Sequence, residues 1–174
     1  MSTRSEASHV RVAIVSDTHV PRFAKRLDSA LAHVAAERPD LIVHCGDLTA
    51  LKAVAAFEAI APVRAVAGNN DGPEIVARFG RRTIVRIAGV AIGAVHGDGS
   101  PGTTLGRALA AFAGETVDAI VFGHSHVPYC RQHAGVWVVN PGSPTDKRRQ
   151  PLFSFAILDI ALGVCSPRLV TFAA

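Results

Sequence analysis

The chain has 174 residues, of which 49% are hydrophobic and 18% charged, and this is enough for one domain with a sizeable core. Its formal net charge is +4 and its basic residues are mostly scattered, so we expect a mild attraction for anionic substrates rather than strong nucleic-acid binding. No run approaches the ~20 apolar residues of a membrane span, which argues against a membrane-spanning protein.

We expect one domain. Residues 1–9 are polar and predict a disordered N-terminal tail, whereas residues 10–174 contain no internal repeat or low-complexity linker and predict a single domain. The three cysteines, Cys45, Cys130 and Cys165, are odd in number and lack metal-type spacing. A reduced, cytoplasmic location fits this usage best. The sequence leaves a homo-oligomer open.

The first half of the chain alternates strands with helices. This β-α-β-α-β order predicts parallel strands joined by right-handed crossovers. Apolar runs and helical spacing predict strand 10–15, helix 24–38, strand 41–44, an alanine-rich helix ending near residue 59, and strand 62–67.

The second half departs from this alternation. Two apolar runs separated by Gly89 predict a hairpin. In the last strand but one, apolar and polar residues alternate enough to predict that one side faces solvent. The elements together predict an α/β protein with a mixed sheet core flanked by helices. The predicted segments are strands 83–88 and 90–95, a helix over about 103–113, and strands 119–122, 135–139, 152–160 and 164–172, of which 152–160 is the alternating one.

Polar side chains that can bind a divalent ion follow five of these strands. They are Asp17, His19, Asp47, Asn69, His96, His124 and His126. The pair His124 and His126, taken alone, more often belongs to a solvated polar loop. Seven donors at one sheet edge are different, because without cations the carboxylates repel and the imidazoles are desolvated. Seven ligands exceed the four of a tetrahedral structural site, so we expect two ions that share a carboxylate.

The order and spacing of these residues resemble the calcineurin-like metallophosphoesterases, and especially their small bacterial and archaeal phosphodiesterase branch. The matching motifs are Asp17-X-His19, Gly46-Asp47, Gly68-Asn69, His96, Gly123-His124-Ser125-His126 and the late Asn140-Pro141-Gly142-Ser143. The resemblance covers most of the chain, from about Val12 to Ser143. It implies a four-layer α/β/β/α sandwich with two mixed β-sheets. It also implies one ion on Asp17, His19 and His126, a second on Asn69, His96 and His124, and a bridging Asp47.

The same resemblance implies a dinuclear metal-dependent phosphoesterase, and we expect a phosphodiesterase acting on a small phosphate ester. Two ions would polarise the attacking and departing oxygens and acidify a bridging water, so that hydroxide attacks phosphorus in line without a Ser or Cys nucleophile. We expect Mn²⁺, with Fe²⁺, Zn²⁺ or Ni²⁺ as alternatives, because nitrogen and oxygen donors alone do not choose among these ions.

One position departs from the wider family. Many members have a histidine after the Asn ligand that is thought to protonate the leaving oxygen, whereas this chain has Asn70. Asparagine cannot release a proton at any useful pH. The general acid is therefore unassigned, and we expect slow hydrolysis of esters with poor leaving groups.

Two further residues are candidates for supporting the site from behind. His44 ends the second strand, where it either hydrogen-bonds a ligand loop or serves as a satisfied core histidine. Asp71 follows the third strand, where it either orients a ligand or caps the next helix.

The main alternative function is that of a protein-interaction scaffold. The retromer coat contains a small scaffold subunit that resembles this same branch and acts mainly by binding proteins. A scaffold predicts a degraded metal site, whereas all seven positions here carry competent ligands. A nuclease acting on polymeric DNA or RNA is disfavoured, because the clusters Arg81-Arg82 and Lys147-Arg148-Arg149 are small and lack interleaved aromatic residues.

Overall fold

The computed structural model describes residues 9–173, so residues 1–8 of the expected N-terminal tail lie outside the described residues. Among the described residues, no helix is both long enough and apolar enough to cross a bilayer. The elements are β1 (Val10–Val15), α1 (Ala24–Ala36), β2 (Leu41–His44), α2 (Leu51–Glu58), β3 (Val63–Ala65), α3 (Pro73–Phe79), β4 (Arg82–Ile87), β5 (Val90–Val95), α4 (Thr104–Ala111), β6 (Ala119–Val121), β7 (Tyr129–His133), β8 (Val136–Asn140), β9 (Phe153–Ala161) and β10 (Val164–Phe172).

The strands form two mixed five-stranded sheets. Sheet A has the order β10-β9-β1-β2-β3, with β1, β2 and β3 parallel and β9 antiparallel to both of its neighbours, β1 and β10. Sheet B has the order β4-β5-β6-β8-β7, with β5, β6 and β8 parallel and the edge strands β4 and β7 antiparallel. The predicted β-α-β-α-β half and the β4–β5 hairpin are both confirmed.

Three apolar cores separate four layers. The first core packs α1, α2 and α3 on sheet A through residues such as Val34, Phe57 and Ile75. The second fills the space between the two sheets, and the third packs α4 against sheet B through Ala108 and its neighbours. Burial of these faces is the main force that holds the layers together. The α/β/β/α sandwich predicted from the sequence is therefore confirmed.

The structure differs from the sequence-based expectation in the burial of β9, the presence of β7 and the end of α1. Strand β9 was predicted to face solvent on one side, but Ile157 and Leu158, on its opposite faces, are both fully buried. It lies between β1 and β10, with helices beyond one face and sheet B beyond the other. Edge strand β7 was missed because it is short and polar. Helix α1 ends at Ala36 rather than residue 38, since Arg38 is left-handed and precedes Pro39.

The strand registers bring the ligand loops to one end of the sandwich. Val15 pairs with His44, and His44 pairs with Ala65, so β1, β2 and β3 end at the same level in sheet A. In sheet B, Ala94 of β5 pairs with Val121 of β6. The loops that follow these five strands therefore meet at the carboxyl edge, where open α/β sheets place their sites.

Candidate metal centre

Three of the ligand loops share an unusual backbone. In each loop, residues i and i+2 lie in the left-handed region, which residues with a Cβ adopt rarely and at about 1–3 kcal/mol each. The surrounding fold must therefore impose these conformations. The pairs are Asp17 and His19 (φ +57° and +46°), Asp47 and Thr49 (φ +58° and +63°), and His124 and His126 (φ +67° and +58°).

Two glycines allow these loops to approach closely. A Cβ on Gly68 would overlap the Asp47 carboxylate, and a Cβ on Gly123 would overlap the Ser16 hydroxyl and lie 2.8 Å from Asp17 Oδ2. Only glycine fits at either position without moving a ligand. The Gly-Asn and Gly-His motifs of the sequence thus reflect contacts made at the centre itself.

The two carboxylates lie between the imidazoles. Asp17 Oδ1 is 3.4 Å from His126 Nε2 and 3.9 Å from both His19 Nε2 and His96 Nε2. Asp47 Oδ2 is 3.4 Å from His96 Nε2 and 3.7 Å from His19 Nε2. His19 Nε2 and His126 Nε2 are 3.3 Å apart. These five residues form one compact cluster of donor atoms.

The last two predicted ligands lie at the outer side of this cluster. The Asn69 side-chain oxygen is 3.1 Å from His124 Nδ1, and the ring of His124 is 5.2 Å from that of His96. The structure therefore brings all seven predicted residues to one place. His124 stands on the side of His96 and Asn69, whereas His126 stands beside His19.

Both carboxylates could be shared between two ions. Two sets of side chains each have donor atoms that all lie within 4.8 Å of one another. Asp17, His19 and His126 form one set, and Asp17, Asp47 and His96 form the other. Asp17 belongs to both sets, whereas the sequence comparison gave the bridging role to Asp47 alone. The division of the ligands between two ions stays a prediction.

The residues fit divalent cations on electrostatic grounds. Asp17 Oδ1 and His96 Nε2 are buried and have no hydrogen-bond partner within residues 9–173. A buried polar atom left unpaired costs about 1–3 kcal/mol. A cation among these atoms would satisfy both, and the nitrogen and oxygen donors suit a first-row transition ion.

Hydrogen bonds behind the centre fix which ring nitrogen faces it. His96 Nδ1 donates to the Cys45 carbonyl at 2.7 Å, and His126 Nδ1 donates to the Asp146 carbonyl at 2.6 Å. Each bond leaves Nε2 directed at the carboxylates and available as a ligand. Such bonds to the distal nitrogen are typical of metal-binding histidines.

His44 is both a core residue and a link between two ligand loops. It is fully buried, and its Nδ1 accepts the Gly46 N–H at 3.2 Å. Its Nε2 must then carry the proton, which it donates to Thr18 Oγ1 at 3.1 Å. Burial lowers the pKa of His44 to about 3, with a further contribution from His96, so the ring stays neutral. His44 thus ties the loop after β1 to the loop after β2.

Asp71 orients the ligand loops and does not cap the next helix. Gly72 occupies the N-cap of α3, where no side chain makes a capping bond, so the capping alternative is wrong. The Asp71 carboxylate instead accepts the backbone N–H groups of Asp47 at 2.8 Å, Thr49 at 2.6 Å and Gly68 at 2.7 Å. It therefore holds the loop that carries Asp47 against the loop that carries Asn69.

Sequence reasoning missed the support that comes from the loop after β8. Ser143 Oγ donates to the Asp17 carbonyl at 2.9 Å, and Thr145 Oγ1 donates to the Thr18 carbonyl at 2.9 Å. Asn140 Nδ2 donates to the Gly123 carbonyl at 2.9 Å. The late Asn-Pro-Gly-Ser motif was noted only as part of a family resemblance. Its position directly after a buried strand was the available signal for this role.

Burial and mutual charge set the protonation states of the centre. Burial raises the pKa of Asp17 to about 7. Burial alone would lower the pKa of His96, but Asp47 and Asp17 more than offset this effect and raise it to about 9. Burial would raise the pKa of Asp47, yet the nearby His96 and the hydrogen bonds from Asn70 hold it below its ordinary value. Burial lowers the pKa values of His19, His124 and His126.

A four-layer sandwich with this donor set at its carboxyl edge defines the metallophosphoesterase class. The chain belongs to the calcineurin-like phosphoesterase superfamily, whose domain model matches residues 10–163. A probable metallophosphoesterase of Methanothermobacter thermautotrophicus is 34% identical over 143 residues, which cover 79% of this chain and 78% of the relative. The chain is accordingly a metal-dependent phosphoesterase of the hydrolase class.

Solved structures share the same fold. An archaeal phosphodiesterase superposes with a TM-score of 0.76 at 22% identity, covering 94% of this chain and all of that chain (100%). Vps29 of Chaetomium thermophilum superposes with a TM-score of 0.75 at 18% identity, covering 94% of this chain and 97% of that chain. The archaeal phosphodiesterase and Vps29 thus have the same architecture as this chain.

Metal binding should release protons. A histidine must lose its Nε2 proton to become a ligand, and the pKa of His96 near 9 keeps that proton in place at neutral pH. We expect the apparent affinity for Mn²⁺ to rise by roughly tenfold per pH unit between about pH 7 and 9. Calorimetric titration in two buffers of different ionisation enthalpy measures the protons released. Equal heats in both buffers and a flat affinity over this range would contradict the prediction.

Replacing Asp71 should weaken metal binding without touching a ligand. Asp71→Asn puts an NH₂ group where an oxygen now accepts a backbone N–H, so one of the three bonds is lost and the loops separate. We expect Mn²⁺ affinity to fall by roughly 10–100-fold, as for other residues that support metal ligands. The matched control is Asp28→Asn on the exposed face of α1. Affinity within twofold of the unmodified protein would show that Asp71 does not position the loops.

Proposed function

We propose that the chain is a dinuclear metal-dependent phosphodiesterase that hydrolyses a small phosphate ester, with Mn²⁺ as the favoured ion and Fe²⁺, Zn²⁺ or Ni²⁺ as alternatives. One observation carries the proposal: seven side chains with nitrogen and oxygen donors come together from five strand ends. Two of their donor atoms, Asp17 Oδ1 and His96 Nε2, are buried and lack partners among the described residues. The archaeal phosphodiesterase of the same fold supports the choice of diesters.

The chain supplies a ready scaffold for two cations. Asp17, His19 and His126 would hold one ion, Asn69, His96 and His124 the other, and Asp47 would be shared. Two divalent ions, when bound, polarise a phosphoryl group and lower the pKa of water. Asn69 offers a neutral oxygen, which keeps the negative charge of the ligand set low. His44, Asp71 and the Ser143 hydroxyl keep the loops in place, so that little reorganisation accompanies binding.

Asn70 orients Asp47 and offers no acid. Its side-chain Nδ2 donates to Asp47 Oδ2 at 2.7 Å, and its backbone N–H donates to Asp47 Oδ1 at 2.9 Å. The amide therefore faces the centre from the position where many relatives have a histidine. Because an amide holds its proton, the leaving oxygen receives no proton from this residue, and esters with acidic leaving groups should react best.

A cytoplasmic location and a small-molecule substrate belong to the same proposal. Cys45, Cys130 and Cys165 are all free, which agrees with a reducing compartment. Burial raises the pKa of the Cys45 thiol well above its usual value, so Cys45 stays protonated beside the centre rather than acting as a nucleophile. A homo-oligomer is neither required nor opposed by the centre, which one chain completes.

The second candidate function is a protein-interaction scaffold. The superposition with Vps29 favours it, because a retromer-type chain has the same fold. The two functions differ in what the centre must do. A scaffold needs no turnover with any ion, whereas the proposed enzyme requires hydrolysis that depends on its ligands.

Loss of the shared carboxylate should abolish both metal binding and hydrolysis. Asp47→Asn removes a charge that lies within 3.7 Å of His19 and His96. We expect metal content to fall from two ions per chain toward one or none and the hydrolysis of bis(4-nitrophenyl) phosphate to fall by at least about 10³-fold. Metal analysis and initial rates with each ion provide the measurements. His9→Ala, an exposed histidine far from the centre along β1, is the control.

Two results would count against this function. If protein loaded with two ions hydrolysed none of the aryl, cyclic-nucleotide or nucleotide-linked diesters, the scaffold function would be favoured. Near-normal turnover by Asp47→Asn with two ions retained would remove Asp47 from the shared position.

The missing acid at Asn70 should appear as a steep dependence on the leaving group. We expect fast hydrolysis of aryl diesters and slow hydrolysis of alkyl diesters, because a positioned acid contributes about 10²–10⁴ in rate. Asn70→His should narrow this gap, and Asn70→Ala, which removes the amide without adding an acid, should not. The measurement is a Brønsted plot of rate against leaving-group pKa for all three proteins. A shallow slope in the unmodified protein, unchanged by Asn70→His, would mean that another group supplies the proton.

A further inference from the structure

A cationic surface borders the metal centre on the His19 side. We call it the Arg22–Arg26 surface and define it by Arg22, Phe23, Lys25 and Arg26. Phe23 N–H donates to the His19 carbonyl at 3.2 Å, and the two rings meet edge to face at 6.4 Å between centroids. A cavity of about 420 Å³ opens along residues 21–26. A ligand in this cavity would therefore be next to a metal ligand.

The cations of this surface are held by an aromatic ring rather than by carboxylates. The guanidinium carbons of Arg22 and Arg26 lie 5.3 and 5.6 Å from the centroid of Phe23. No carboxylate of the described residues lies within 4.0 Å of Arg22, Lys25 or Arg26, and the first turn of α1 has no acidic residue.

Two arginines on other surfaces, Arg78 and Arg82, also lie over aromatic rings but are paired with carboxylates as well. Arg78 contacts Glu58 at 2.7 Å, and Arg82 contacts Glu115 at 2.8 Å. In both pairs the guanidinium already has an anion.

At the Arg22–Arg26 surface the positive charge has no such carboxylate and is left for an external anion. Arg26 also lies 5.3 Å from the centroid of Phe153 and donates one N–H to the Thr145 carbonyl at 3.1 Å, so its guanidinium is held in place with further donors to offer. Arginine donors fixed in this way suit a phosphate group, which they bind through paired N–H bonds.

The opposite side of the centre has a different character. There a cavity of about 270 Å³ lies against Ser125 of the loop that carries His124 and His126. Threonine, serine and apolar side chains line it, and no lysine or arginine is among them. The cation next to this cavity is Arg107, which donates to Thr104 Oγ1 at 3.3 Å and to the Gly97 carbonyl at 2.9 Å. Its guanidinium is thus already engaged by the chain, so the two arms of a bound diester would meet different surroundings.

We propose that the Arg22–Arg26 surface binds a second phosphate group of the substrate, which makes the substrate class a phosphodiester that carries an additional phosphate. The proposal rests on the proposed function, in which the scissile phosphate lies at the metal centre. A second phosphate then meets Arg22 and Arg26 on the arm directed past His19 and Phe23. Sequence patterning missed this surface because Arg22 lies in a turn and Lys25 and Arg26 lie in the first turn of α1, so that Phe23 and Ala24 interrupt the basic residues.

A matched pair of substrates tests the proposal. The pair is thymidine 5′-(4-nitrophenyl phosphate) with and without a 3′-phosphate, which share the scissile bond and the leaving group. We expect kcat/KM to be about tenfold higher for the 3′-phosphorylated compound, through a lower KM. Arg22→Gln and the double variant Arg22→Gln/Arg26→Gln should bring the ratio of the two kcat/KM values to about one. Arg64→Gln, an exposed arginine of β3, should keep the tenfold ratio.

Binding separates this proposal from the function on which it rests. Calorimetry on the metal-loaded protein compares thymidine 3′,5′-bisphosphate with thymidine 5′-monophosphate and requires no turnover. Tighter binding of the bisphosphate that is lost in Arg22→Gln supports the surface even if no diester is hydrolysed. Hydrolysis of both diesters with equal kcat/KM, together with equal binding of the two nucleotides, would overturn the second-phosphate site and leave the phosphodiesterase intact.

Discussion

The structure around the metal centre depends mainly on the electrostatic cost of keeping Asp17, Asp47 and His96 out of water. Both carboxylates lie within 4 Å of His96 Nε2 in a buried cluster, and one oxygen of Asp17 has no partner among the described residues. Such a group is stable only if cations or protons offset its charge. Against the effect of burial, the two carboxylates raise the pKa of His96 to about 9, so a proton on this ring offsets part of their charge. Cations in place of this proton would offset the same negative charge and would also serve catalysis.

The fold meets this constraint by making the surrounding backbone rigid. Strained left-handed residues persist only where neighbouring contacts over-determine them. Here the contacts come from Asp71, His44 and Ser143, which tie the loops of sheet A to each other and to the loop after β8. The ligands therefore depend on residues that never touch an ion. Beyond them, the cationic Arg22–Arg26 surface borders the centre on the His19 side.

Most of the element order and the meeting of the seven candidate ligands at one sheet edge could be predicted because both follow from local rules. Apolar runs mark buried strands, and polar residues at the ends of parallel strands meet at one edge. The full burial of β9 could not be predicted, since a period-two pattern does not reveal what covers the second face of a strand. The role of Asp71 could not be predicted either, because a helix cap and an acceptor for distant N–H groups have the same local sequence signal. The cation–π contacts of Phe23 are likewise tertiary and leave no periodic trace.

The most direct test of the account is a crystal structure of the Mn²⁺-loaded protein with anomalous scattering. We expect two peaks about 3.5–4 Å apart, the spacing of known two-metal sites. One peak should contact His19 and His126, the other His96 and His124, with Asp47 between them. A single peak, or both His124 and His126 on the same ion, would contradict the two-ion centre on which the proposed chemistry depends.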